Sequence, residues 1–315
     1  MNQHFITKYT PKNIDNFYID NDIKIILEHY IELDNINLMF FGDPGTGKSS
    51  IITAILNKYY NNKINGDNVI YISNLKDMGF HTVRQMLKNF CKLSTTTKYK
   101  KTVVFDDIDI INEQIQQIIR HCIDKYPDKI NFIGSCSNIQ KVLDNIQSCV
   151  NIIKLSHIKN DGLNDILNNV ILRENLKIQD DAKDLIIKIS YSSVRNLLNY
   201  IYKLRLLNEE VITVKTVENI CSNISFYKLD EYMGYIFKRE SSGGYNILKQ
   251  FINMGYSVMD IYENLFNYIK ISTIILENDK FKIYKILSKY IQIFNSIHED
   301  YFELLLFSNE ICKLY

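Results

Sequence analysis

Tryptophan is absent from this 315-residue chain, proline occurs three times and glycine eleven times. So little proline and glycine excludes collagen-like and low-complexity architectures, and it makes any local clustering of glycine informative. No apolar run approaches the roughly 18 residues that cross a bilayer. The N-terminal MNQHFITKYTPK lacks the apolar core of a secretory leader, so neither membrane spanning nor secretion is expected. With 37 basic and 36 acidic residues the formal charge is +1, which excludes polyanion recognition through overall charge. Any nucleic-acid contact must come from a local basic face. The six cysteines, Cys91, Cys122, Cys136, Cys149, Cys221 and Cys312, form no C-x-x-C pair and have no histidine at metal-site spacing. They are expected to be reduced, mostly buried thiols of an intracellular protein.

What is present is 46% hydrophobic and 23% charged residues, a globular composition long enough for two or three domains. Three of the scarce glycines fall in one stretch, LMFFGDPGTGKSS from Leu38 to Ser50. Gly42-Asp43-Pro44-Gly45-Thr46-Gly47-Lys48-Ser49 spells G-x-x-x-x-G-K-[ST] between an apolar strand and a helix that includes Ser50, the context in which this motif cradles phosphates. The glycines let backbone amides turn inward around phosphate oxygens, and the helix start adds its positive end. On this reading Lys48 neutralises the β- and γ-phosphates of ATP, and the Ser49 hydroxyl ligates Mg²⁺.

Ahead of this loop, Pro11 predicts an extended segment leading into a helix that carries Ile23, Ile25, Ile26, Leu27, Tyr30 and Ile31. Behind it, strands are expected at Val69–Ile72, Thr102–Phe105, Asn131–Ser135 and Ile152–Leu155, separated by helices at 81–90 and 113–125. That alternation predicts a parallel sheet with helices on both faces. The strand at 102–105 ends in Asp106-Asp107-Ile108-Asp109. Two acids at a strand end about sixty residues after a phosphate loop are the second half of an ATPase site. Asp106 would hold Mg²⁺, and Asp107 would orient or deprotonate the attacking water. From Asn160 onward only helical patterns occur, interrupted by Ser241-Ser242-Gly243-Gly244. One boundary is therefore expected near 156 and a softer one near 226.

Arg84 and Lys88 are four apart on one helix face and so neighbours in space; they are candidates for phosphate contacts with DNA, or else solvated charges. The run Lys98-Tyr99-Lys100-Lys101 reads as an exposed loop and Arg120 as a surface charge. Aromatic residues recurring at helical spacing after Phe226 read as packing rather than as a base-stacking platform.

Taken in order, these motifs resemble the small subunits of replication factor C, the sliding-clamp loader, within the AAA+ ATPases. KYTPKNIDNF is similar to that family's N-terminal segment, which implies Tyr9, Pro11, Tyr18 and Ile19 near the adenine. VVFDDID resembles its acidic box, with Asp107 where glutamate is usual. FIGSCSNIQKVLDNIQSCV resembles its sensor-1 strand, implying a water-positioning role for Ser137 or Asn138, followed by its arginine-finger motif. SYSSVRNLLN resembles its sensor-2 helix, which puts Arg195 on the γ-phosphate side. Arg84 aligns with a family arginine expected to track duplex DNA, and Arg120 with an interface arginine. Tyr245–Leu265 is similar to its ring-forming collar.

The resemblance implies an α/β AAA+ domain over 1–156, a helical lid over 157–226 and a helical collar over 227–315. The partners it implies are other loader subunits in a hetero-pentamer, a sliding clamp and primer–template DNA. It implies work at the site of replication, in a nucleus or, for a large DNA virus with an AT-rich genome, in the cytoplasm. Three departures stand out: Asp43 where proline is usual, Asp107 one methylene shorter than glutamate, and Cys149 at the finger position. The last predicts a subunit that does not activate the site it faces. Such a subunit fits the open end of a ring, where no downstream site needs completing. A non-hydrolysing structural subunit and another AAA+ DNA machine (a branch-migration helicase or an origin-loading factor) are the alternatives.

Overall fold

The computed structural model describes residues 5–72, 80–93, 99–207, 209–221, 226–272, 274–296 and 301–315. The chain opens with the short helix α1 (Phe5–Tyr9), a 3-10 turn and α2 (Asn21–Glu32). The expected extended start is thus corrected: Lys8 and Tyr9 close a helical turn, and Pro11 lies just beyond it, where its missing N–H costs no helical bond. There follow β1 (Leu38–Phe41), α3 (Lys48–Tyr59), β2 (Val69–Ile72), α4 (Phe80–Lys92), β3 (Lys101–Phe105), α5 (Glu113–Lys125), β4 (Ile130–Cys136), α6 (Asp144–Gln147) and β5 (Asn151–Lys154).

The five strands form one sheet in the order β2-β3-β4-β1-β5, every pair parallel. Alternation along each strand decides which core it feeds. Met39, Val103, Phe105 and Phe132 join one cluster with α4 and α5 residues. Leu38, Phe40, Val104 and Ile133 join another with residues of α2 and α3. The sheet is therefore covered on both faces, as parallel sheets require. β1 lies between β4 and β5, and its carboxyl end delivers Gly42 to the rim where the ends of β3 and β4 also open.

Lys101, expected in an exposed loop, is instead the first residue of β3 and is 5% exposed. Its Nζ donates to the Phe90 carbonyl at 2.9 Å and sits 4.6 Å from the Phe90 ring centroid. The stem fills apolar space while the ammonium finds a helix-end carbonyl, and burial holds its pKa below the ordinary value. Lys98 lies outside the described residues.

After β5 the described chain is helical: α7 (Asn160–Glu174), α8 (Asp180–Ile189), α9 (Val194–Leu206), α10 (Val214–Cys221), α11 (Phe226–Phe237), α12 (Ser241–Asn253), α13 (Val258–Ile271), α14 (Glu277–Ser296) and α15 (Phe302–Cys312). Contacts divide it into two compact units, Met1–Glu174 with Ser190–Tyr202, and Asn175–Ile189 with Lys203–Tyr315. In the second unit Tyr232, Phe251, Tyr262, Tyr268 and Phe307 form a buried aromatic-rich core.

Ser241-Ser242-Gly243-Gly244 does not interrupt the helices; it is the first turn of α12. A Cβ on Gly243 would stand 2.4 Å from the Tyr235 ring, and one on Gly244 3.2 Å from Tyr232. The pair of glycines thus lets α12 approach the aromatic face of α11, a packing demand that outweighs their poor helix propensity.

Candidate nucleotide site

The turn from β1 into α3 builds the site. Gly45 and Gly47 take positive φ values of 85° and 97°, a region in which glycine meets no Cβ penalty. Space also excludes larger residues. A Cβ on Gly42 would lie 2.6 Å from the Leu155 carbonyl oxygen, and one on Gly45 2.2 Å from Ser193 Oγ. Within the loop, Thr46 donates to the Asp43 carbonyl through both its N–H and Oγ1, at 3.3 and 2.8 Å. Pro44 lies between Asp43 and Gly45, and Ser50 enters α3 two residues after Lys48.

Lys48 is 6% exposed. Its Nζ donates to the carbonyls of Gly42 and Asp43 at 2.7 and 3.1 Å and to Ser137 Oγ at 3.3 Å, so all three ammonium protons have acceptors. Ser49 Oγ donates to both oxygens of Asp106, at 2.9 and 3.0 Å. Ser135 on β4 completes the pairing: its Oγ donates to Asp106 Oδ1 at 2.5 Å and accepts from the Asp107 amide at 3.0 Å.

Asp107 has left-handed backbone angles, φ 53° and ψ 56°, which turn the chain out of β3 between two consecutive carboxylates. Partial burial and the neighbouring Asp106 carboxylate raise the Asp107 pKa above its ordinary value, while Lys48 and Arg195 pull it down. That places Arg195, exposed in the first turn of α9, within electrostatic reach of Asp107. A Cβ on Gly45 would lie 3.7 Å from the Arg195 Cβ.

The two sensor-1 candidates behave differently. Ser137 faces Lys48, whereas the Asn138 side chain caps a 3-10 turn by accepting from the Gln140 amide at 3.0 Å. The amides of both residues donate to Asp109 Oδ2, at 3.2 and 3.0 Å, so the acidic box holds the loop after β4 directly.

The N-terminal residues reach the site unevenly. Phe17 Cε1 would be 4.0 Å from a Cβ on Gly47, and the adjacent Tyr18 ring packs on Gly162 near the start of α7. The half-buried Ile19 belongs with Phe17 to the core under α3. Burial, then Asp165, raises the Tyr18 pKa. Tyr9 instead donates to Glu174, the last residue of α7, which also accepts from Lys8 at 2.5 Å. The 15-residue α7 is about 22 Å long, so Tyr9 and Tyr18 contact opposite ends of that helix.

Arg84 and Lys88 are exposed on α4, on the face next to the buried stripe of Val83 and Leu87. Arg120 is held by Asp124, one turn on along α5. Cys149 is half-buried and packs on the core beneath α4 and α5, and its Sγ lies 3.9 Å from Ser148 Oγ. All six cysteines are free thiols.

The oxygen donors Ser49 and Asp106 fit a small hard cation. Among the described residues no group of three or more His, Cys, Asp or Glu side chains could hold a metal ion. A cation here would therefore share its shell with the nucleotide's phosphates and water. Ser135, Asp109 and Ser193 were not selected from sequence. The signal available for Ser135 and Asp109 is position, since both lie where parallel strands end at their carboxyl edge, the side on which such sheets bind ligands.

Residues 38–156 match the AAA family, ATPases associated with various cellular activities. The chain is 24% identical over 276 residues to a replication factor C small subunit of Acanthamoeba polyphaga mimivirus, covering 83% of this chain and 86% of that protein. It is 23% identical to replication factor C subunit 4 of Homo sapiens, covering 83% and 75%. To subunit 5 of Dictyostelium discoideum it is 27% identical, covering 72% and 64%. Among solved structures, the Holliday junction branch migration motor RuvB of Thermotoga maritima superposes with a TM-score of 0.53 at 16% identity over 74% of this chain and 80% of that one. That likeness concerns the fold alone.

Proposed function

We infer that this chain, built on an AAA-family ATPase domain and similar over 83% of its length to a replication factor C small subunit, is an ATP-binding subunit of a clamp loader. It works with other loader subunits to open a sliding clamp and close it around primer–template DNA. The observation that carries this reading is the phosphate loop that follows β1, between β4 and β5 in the sheet, with Lys48, Ser49, Asp106 and Ser137 converging on it. Residues 157–226 then serve as a lid and 227–315 as the collar through which subunits meet.

In the loaded site, Lys48 exchanges its loop carbonyls for the β- and γ-phosphate oxygens. Ser49 and Asp106 would hold Mg²⁺, which when bound would neutralise phosphate charge. Ser135 keeps Asp106 aimed at the Ser49 hydroxyl. Asp107 takes the attacking water, its raised pKa making it a stronger base than an ordinary aspartate. Ser137, fixed from behind by Asp109, orients the terminal phosphate, and Arg195 approaches it from the first turn of α9. Tyr18 and Ile19 flank the base, while Tyr9 anchors the N-terminal turn to α7.

Calorimetry with Mg·ATP on the chain in its native assembly tests the reading, with Lys48→Ala as control. Heat of binding that Lys48→Ala abolishes is expected; no heat from the wild type rejects it. A second reading, a subunit that binds ATP without hydrolysing it, is favoured by Asp107, one methylene shorter than the usual glutamate at its own site, and by Cys149, a half-buried thiol that supplies no charge to a neighbour's site. Single-turnover hydrolysis in the assembled complex separates the two.

A further inference from the structure

The phosphate loop carries a negative charge of its own. Asp43 stands directly after Gly42, and its main chain is committed: its carbonyl accepts from Thr46 N, Thr46 Oγ1 and Lys48 Nζ. Only the side chain can turn. Toward the loop it would face a polyphosphate with like charge.

It is held the other way. His157 Nε2 lies 2.6 Å from Asp43 Oδ2, a contact made possible by how β5 ends. Leu155 N donates to the Phe41 carbonyl at 2.8 Å, and the Leu155 carbonyl is so close to Gly42 that no Cβ fits between them. The chain leaving β5 is thereby pinned along the entry to the loop, and the residue two places further on arrives at Asp43. The pair is accessible, with side-chain exposures of 53% and 64%, so it does not support the core. Nε2–H can donate in either protonation state of the ring, and the imidazolium adds charge compensation.

We propose that His157 is a positioning residue for nucleotide binding, turning the Asp43 carboxylate away from the bound phosphates and offsetting its charge. This rests on the ATP reading above. Because exposed pairs of this kind are weak, the expected effect is modest and electrostatic.

The experiment is a double-mutant cycle on the full chain in its native assembly, with Mg·ATP titrated by calorimetry into wild type, His157→Ala, Asp43→Asn and the double variant. His157→Ala should weaken ATP binding about two- to fivefold. Asp43→Asn alone should bind at least as tightly as wild type, and in its background the His157→Ala loss should vanish. The loss should also shrink in about 1 M salt, where screening acts within roughly 3 Å. Unchanged affinity in His157→Ala overturns the proposal, as does a loss that persists in the Asp43→Asn background or weaker binding by Asp43→Asn. A wild-type chain that does not bind ATP overturns the nucleotide reading itself, and this inference with it.

Discussion

Ser49 and Asp106 face each other across the site, the serine hydroxyl bonded to both carboxylate oxygens at 2.9 and 3.0 Å. One residue belongs to the first turn of α3 and the other follows the last residue of β3, so the sheet and the helix packed on it fix their separation. The bond holds two hard oxygen donors side by side, the arrangement Mg²⁺ needs when nucleotide phosphates supply part of its shell. Replacing Asp106 by Ala should reduce the Mg²⁺-dependent part of ATP affinity by at least about tenfold to a hundredfold. Affinity measured in excess chelator should hardly change. Equal losses with and without Mg²⁺ would assign Asp106 a purely structural task.

Asp107 offers a pH signature. Its folded pKa is raised above the ordinary 3.8, first by burial and then by Asp106. The native state therefore holds this proton more tightly than the unfolded chain does. Such a group favours folding below its unfolded pKa, and that contribution is lost as pH rises through the folded value. At neutral pH the ionised carboxyl opposes folding. Asp107→Asn should then raise Tm by about 1–2 °C at pH 7, with the gain fading as pH approaches 3.8. ATP binding should persist while single-turnover hydrolysis falls about a hundredfold or more. A variant less stable at pH 7 than the wild type contradicts this account.

The sheet and the phosphate loop were legible in the sequence because short-range patterns encode them: β-branched runs, glycine spacing and a strand ending in acids. The pairing of Ser49 with Asp106 could be expected from motif logic alone. What escaped depends on distant packing. Gly243 and Gly244 look like a break until Tyr235 and Tyr232 occupy the space they leave open. Lys101 looks solvated until α4 ends with a carbonyl above it. The link from Asp109 to the amides of Ser137 and Asn138 spans two strands, and no local pattern records it. The division of labour between Ser137 and Asn138 likewise follows from a turn that uses Asn138 as its cap.

Cys149 tests the place of the chain in an assembly. A finger arginine supplied to a neighbour's site is worth orders of magnitude in rate, and a thiol is not a substitute. If this subunit sits at the open end of a ring, no site depends on residue 149. Cys149→Arg should then leave the ATPase rate of the assembled complex within about twofold of wild type. Cys149 packs only partly on the core, so a longer side chain can reach solvent. A rise of tenfold or more in the steady-state rate places a nucleotide site opposite residue 149 and rejects the end position.

Arg84 and Lys88 provide the measurement of DNA contact. Both are exposed on α4 one turn apart, on the face next to the buried Val83 and Leu87, so they project together and truncating them removes no buried side chain. Two side chains that each neutralise one phosphate add roughly 0.9 apiece to the slope of log K against log salt on duplex DNA. The double variant Arg84→Ala/Lys88→Ala should therefore weaken primer–template binding by the assembled complex at low salt and flatten that slope by about two. Because phosphate contacts carry no base information, the loss should be the same for templates of different sequence. An unchanged slope would make these two residues solvated charges and assign any DNA contact to other residues.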